Sequence, residues 1–198
     1  KGTANGPDTI RQIVPHIHCA LFSPDGKYIF ATDFSADRIL RFTLSSEGNI
    51  SRLPGETIDI APDSGPRHLT FSPNGKFAYL INELSGKVIA FGYTDGKVEQ
   101  IQSIAADSLQ ARGSADIHLS PDGKFLYASN RLEGDGIAIF AVDTVNGTLT
   151  RAGYQSTGIH PRHFNITPNG KYLLAACRDS NVIQVYERDT ENGLLKDT

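Results

Sequence analysis

His18, Arg67, His68, Glu83, Arg131, Arg162, His163 and Arg178 are the side chains through which this sequence could do chemistry. Imidazole can take up a proton near neutral pH, and a carboxylate can do the same when its surroundings permit. Guanidinium offers a planar, two-pronged donor that matches carboxylate and phosphate. The eight are spaced systematically. Five and four places before each Ser or Thr that opens a recurring pentapeptide stand His18-Cys19, Arg67-His68, Ala115-Asp116 and Arg162-His163. Ten and eleven places after it stand Asp33-Phe34, Asn82-Glu83, Asn130-Arg131 and Cys177-Arg178.

The ruler for this count is Ser23-Pro-Asp-Gly-Lys27, which recurs from Ser72, Ser120 and Thr167. The spacings are 49, 48 and 47 residues. In each copy Pro presets φ for the second position of a turn, Asp or Asn tolerates a left-handed backbone, and Gly accepts it without steric cost. Short apolar runs flank every copy, such as Leu69-Thr70-Phe71 before and Phe77-Ala-Tyr-Leu-Ile81 after. A third run follows, as in Val88-Ile-Ala-Phe91, then a second turn such as Asp95-Gly96, then a weaker fourth strand beginning at Lys97. Four short strands per period, without helical periodicity, predict an all-β propeller. The blades are expected at roughly 16–60, 61–111, 112–158 and 159–198 of a single domain, 1–198. A β-sandwich is the structural alternative, but it does not require so regular a repeat.

Equivalent positions in a propeller form rings around its axis. The two families of positions should therefore meet at the end of the blades opposite the Pro-Asp/Asn-Gly turns. Glu83 is expected beside Arg67 and His68, with Arg131 arriving from the next blade and Arg178 near Arg162 and His163. Two readings follow. The charged groups could pair with one another and close the channel. They could instead form a cationic pocket with one carboxylate, suited to an anionic small molecule.

Other chemistries find little support. His16-Ile-His18 with His160 and His163 matches no common zinc spacing, so no metal is expected. Neither GxGxxG, GxxxxGK[ST] nor GxSxG occurs. With 19 Lys+Arg against 22 Asp+Glu there is no basic stripe for nucleic acid, and no apolar run is long enough to span a bilayer. Cys19 and Cys177 are too few and too far apart for a disulfide framework, which favours a reducing compartment. The cytoplasm is the expected location, with the periplasm and secretion left open.

Gly65-Pro-Arg-His68, Phe71-Ser-Pro-Asn-Gly-Lys76 and Asn82-Glu-Leu84 resemble the lactonase propeller family, as do Pro15-His-Ile-His18, Ser129-Asn-Arg131 and His160-Pro-Arg-His163. That family includes the propeller-type bacterial 6-phosphogluconolactonases and the fungal carboxymuconate-lactonizing enzymes. The resemblance runs over residues 15–195. It implies seven blades, of which about four are present here, and chemistry without metal or cofactor. It matches His18, Arg67 and Glu83 to proposed catalytic positions and Arg131 to an anion-binding one, with His68, Arg162 and His163 lining the pocket. The implied reaction is water attack on a lactone carbonyl. Glu83 or His18 would move the proton, and Arg67 would meet the developing oxyanion or an acidic group of the substrate. A phosphorylated or carboxylated sugar-acid lactone is the expected substrate, a muconate lactone the alternative, and a non-catalytic binding scaffold the third possibility. Seven blades at this period need about 340 residues. With Lys1 in place of Met, the chain is expected to be the C-terminal portion of a longer one.

Overall fold

A computed structural model describes residues 5–53 and 57–198; of the expected first blade, 16–60, residues 54–56 lie outside the description. Every regular element among the described residues is a strand, and the strands form four antiparallel sheets. The first sheet orders β1 (Ile17–Phe22), β2 (Tyr28–Asp33), β3 (Arg38–Leu44) and β4 (Ile50–Arg52), with β5 (Ile58–Asp59) also on β3. The second runs β6 (Pro66–Phe71), β7 (Phe77–Asn82), β8 (Lys87–Thr94) and β9 (Lys97–Ala105). The third runs β10 (Ile117–Leu119), β11 (Phe125–Asn130), β12 (Gly136–Val142) and β13 (Leu149–Ser156). The fourth runs β14 (Pro161–Ile166), β15 (Tyr172–Cys177), β16 (Val182–Arg188) and β17 (Leu195–Asp197). These are propeller blades, each a meander in chain order.

Two details differ from the sequence reading. The first blade carries a fifth short strand, β5, because β3 is long enough to pair with β4 at one end and β5 at the other. The fourth strands of the middle blades are the longest in their sheets, nine residues in β9 and eight in β13. Their outer faces are polar, so hydropathy undercounts them. A register shift between Ala90 and Phe91, and another between Ile139 and Phe140, lets each follow its twisted neighbour.

The pentapeptide turns form as expected. Gly26 N–H bonds to the Ser23 carbonyl at 2.9 Å, and Asp25 accepts from Lys27 N–H at 3.1 Å. The same Ser/Thr carbonyl bond recurs at Gly75, Gly123 and Gly170. The core lies between sheets. One cluster joins blades one and two around Phe30, Leu80 and Phe91. A second joins two and three around Tyr79, Leu126 and Phe140, and a third joins three and four around Tyr127, Phe164 and Tyr186. Strands β7 and β11 are consequently buried on both faces. A repeated clasp reinforces these seams. Tyr79 Oη donates to the Gly147 carbonyl at 3.1 Å, and Tyr127 Oη to the Gly193 carbonyl at 2.8 Å, each across to the next blade. The fourth blade packs on one side only, and Tyr172, Ile183 and Val185 on its other face are exposed.

Gly65 leads the chain into β6 with φ of +63°, and a Cβ there would stand 2.7 Å from Leu84 Cγ and 2.8 Å from Phe34 Cε2. Both strain and overlap oppose a side chain. Gly65→Ala is expected to lower stability by about 1–3 kcal/mol, read as a lower urea midpoint. An unchanged midpoint would mean that this corner is not rigid.

Candidate active site

One backbone device places three of the eight residues. The register of β1 on β2 shifts between Ile17 and Cys19, that of β6 on β7 between Pro66 and His68, and that of β14 on β15 between Pro161 and His163. The extra residues at these bulges are His18, Arg67 and Arg162. A bulge inserts one residue and re-aims its side chain. The third blade repeats the arrangement. Ser129 takes the Ala115 N–H on its carbonyl at 2.8 Å and gives its own N–H to the Asp116 carbonyl at 3.0 Å. The amide left over is satisfied by a facing hydroxyl, Asp116 N–H on Ser129 Oγ and Cys19 N–H on Thr32 Oγ1, both at 3.0 Å.

At the centre Glu83 is gripped by three guanidinium groups. Arg67 Nε donates to Oε2 at 2.7 Å, Arg131 Nη2 stands 2.9 Å from Oε1, and Arg11 also bonds Oε1. Arg67, Glu83 and Arg131 are only 2 %, 6 % and 4 % exposed. Burial by itself would raise the Glu83 pKa. The charges of Arg131, Arg67 and Arg11 outweigh it and hold the carboxyl below its ordinary value. A carboxylate with both oxygens engaged by cations is a poor proton acceptor.

Arg67 is anchored further by the Ala115 carbonyl, 2.7 Å from Nη1, and Nη1 stands 3.3 Å from His68 Nε2. Burial lowers its pKa to about 10, with Glu83 opposing and Arg131 and Arg162 adding to the fall, so it remains charged at neutral pH. Arg131 donates to the Gly113 carbonyl at 2.8 Å and lies 3.2 Å from His160 Nε2. His160 itself has φ of 63°, the left-handed backbone that the second blade gives to Gly65. His18 stacks edge-on against His68, ring centres 5.0 Å apart, and its Nδ1 is buried without a hydrogen-bond partner among the described residues. Burial, then the charges of Arg67 and His68, bring its pKa down to about 4, so it is neutral at physiological pH.

His18, Arg67, His68, Arg162, His163 and Arg178 line one cleft of about 820 Å³, whose far wall includes the exposed flank of the fourth blade at Val182 and Ile183. Glu83 borders a smaller hollow of about 370 Å³ with Arg11 and His16. Arg131 lines neither of these two hollows and reaches the site through Glu83. Arg178 is tied back by Asp179, with Nη2 to Oδ2 at 3.0 Å. Arg162 is exposed and no hydrogen bond or ion pair engages it among the described residues. The geometry thus combines both sequence readings: a mutually paired Arg–Glu–Arg base and an open cationic rim above it.

Sequence reasoning missed Arg11, His160 as a partner of Arg131, and the part played by Asp116. Arg11 lies before the first repeat, so no counting rule points to it. Its segment is folded back by Asp8, whose Oδ1 accepts the N–H groups of Ile10 and Arg11 at 2.9 and 2.8 Å.

The arrangement has close relatives. The family model described as lactonase, 7-bladed beta-propeller matches residues 1–198. A 6-phosphogluconolactonase of Formosa agariphila is 43 % identical over 98 % of this chain and 57 % of its own length. The crystal structure of a Bacteroides uniformis protein, provisionally described as a 6-phosphogluconolactonase, shares 73 % identity at a TM-score of 0.98, over 100 % of this chain and 58 % of its own. A periplasmic gluconolactonase of Pseudomonas aeruginosa shares 34 % at a TM-score of 0.93, over 100 % and 57 %. The chain thus spans rather more than half the length of the relatives it matches. With four meander blades whose inner strands bulge at His18, Arg67 and Arg162, it belongs to the seven-bladed lactonase propeller family.

Proposed function

We propose that the protein hydrolyses a phosphorylated or carboxylated sugar-acid lactone, 6-phosphogluconolactone foremost. The observation that carries this reading is a neutral His18 beside a charged, buried Arg67 at the foot of a cleft whose rim presents the unpaired Arg162. A scaffold whose Arg and Glu groups all pair with one another would not present a guanidinium without a partner among the described residues. In the reaction Arg162, with His68, His163 and Arg178 around it, holds the anionic group. Arg67 faces the lactone carbonyl oxygen and meets the negative charge that develops on it. His18 accepts the proton of the attacking water and returns it to the ring oxygen as the ester bond opens. Glu83 serves as the counter-charge that fixes Arg67 and Arg131. The free thiols Cys19 and Cys177 support a reducing compartment such as the cytoplasm, although one relative is named as periplasmic; no helix among the described residues could cross a membrane.

The pH profile tests the role of His18. Protonation removes its acceptor nitrogen, so the rate falls as pH drops through its pKa. In the free enzyme that value is about 4, set by burial and by Arg67. A bound anion offsets the Arg67 charge and raises it. The acid limb of kcat/KM is therefore expected near pH 4 and that of kcat at higher pH, because the two report free enzyme and complex respectively. His18→Ala should lower kcat by about 100-fold or more. A lactonase rate unaffected by His18→Ala would remove His18 from the mechanism.

A further inference from the structure

Beneath the cleft, Asp116, His118 and His163 bring three possible ligand atoms within 4.8 Å of one another. Asp116 immediately precedes β10, His118 lies within it, and both approach the same side, since His118 Nε2 stands 3.1 Å from Asp116 Oδ2. His163 reaches them from β14 of the next blade. Asp116 Oδ2 lies 2.5 Å from His163 Nδ1 and 3.1 Å from His118 Nε2. The other oxygen is held from a third blade, because His68 Nδ1 approaches Oδ1 at 2.6 Å. Arg67 Nη1 faces His68 Nε2, which makes Nε2 the acceptor and Nδ1 the proton-bearing atom. The Ile117 N–H also bonds Oδ1, at 3.0 Å. The carboxylate is thereby oriented by outer hydrogen bonds, as metal-ligating carboxylates are.

We infer that Asp116 Oδ2, His118 Nε2 and His163 Nδ1 bind one divalent transition-metal cation of the zinc type. Two imidazoles and one carboxylate are a borderline-soft donor set that leaves coordination positions open to water. Bonds of about 2.0–2.2 Å place neighbouring ligand atoms about 3 Å apart. The 3.1 Å separation already meets this, the 2.5 Å contact must open, and the two imidazole nitrogens, within 4.8 Å of each other, must reach the same spacing. The exposed side chain of His163 supplies the mobility and the entry path. Bound there, the cation would bridge the third and fourth blades at their innermost strands. The Arg67–Glu83–Arg131 group lends the cation no ligand, but the site draws His163 from the rim of the proposed substrate cleft; because the cation is read directly, failure of this inference and failure of the lactonase reading are distinguishable.

Titration calorimetry of the purified intact protein with Zn²⁺, paired with the visible spectrum of added Co²⁺, tests the site. One saturable ion per chain is expected, together with a rise in Tm of about 5 °C at a hundredfold excess over Kd. His118→Ala and His163→Ala should each weaken binding at least tenfold, and His16→Ala should leave it unchanged. Asp116→Asn risks the fold, so the histidine variants carry the test. No saturable uptake, uptake indifferent to both variants, or loss of binding in His16→Ala would each overturn the inference.

Discussion

Glu83→Gln is expected to cost about 3–5 kcal/mol of stability, the loss typical when one partner of a buried ionic group is removed. Its carboxylate is the counter-charge that Arg67, Arg131 and Arg11 share. Glutamine supplies one acceptor, and its amide donors would face guanidinium donors. The same logic gives the pH dependence. A folded pKa held below the ordinary carboxylate value contributes stability above that ordinary value, and the contribution is lost as pH falls through the folded one. Chemical unfolding of Glu83→Gln at neutral pH measures the effect. A variant as stable as the parent but devoid of activity would overturn the anchoring role and return Glu83 to the position of a base.

Arg67→Lys isolates the other half of the site. Lysine keeps the charge but cannot bond Glu83 Oε2 and the Ala115 carbonyl from one rigid fork. Arg131 and Arg11 still neutralise Glu83, so the fold should survive with a small drop in Tm. The kcat for lactone hydrolysis should fall by about 100–1,000-fold, the range for losing one preorganised oxyanion donor. A lysine variant with near-parental kcat would show that charge alone suffices at this position.

The repeat made much of this legible beforehand. Because Pro-Asp/Asn-Gly turns fix the register of the first two strands, counting from Ser72 correctly brought Arg67 beside Glu83 and Arg131 across from the next blade. Counting could not reveal that Arg67 and Arg162 stand at bulges, since a bulge changes which way a side chain points without changing residue type or number. Nor could it weigh Glu83 against His18 as proton acceptor. That choice depends on how many cations surround each, and one of them, Arg11, lies outside the periodic part of the chain. Asp116 was found at its ring position, but its three imidazole neighbours come from β6, β10 and β14 and become a cluster only in space.

The bulge is a property of the backbone ladder, and the chain already fills its four copies with three residue types: His18, Arg67, Ala115 and Arg162. Frame and chemistry are therefore separately editable. The turns, clasps and inter-blade clusters define a set of inward-facing addresses, and what is written at each can change while the scaffold stays the same. An architecture of this kind can be moved from one ligand to another by exchanging single letters at the addresses, with no need to redesign the propeller that holds them.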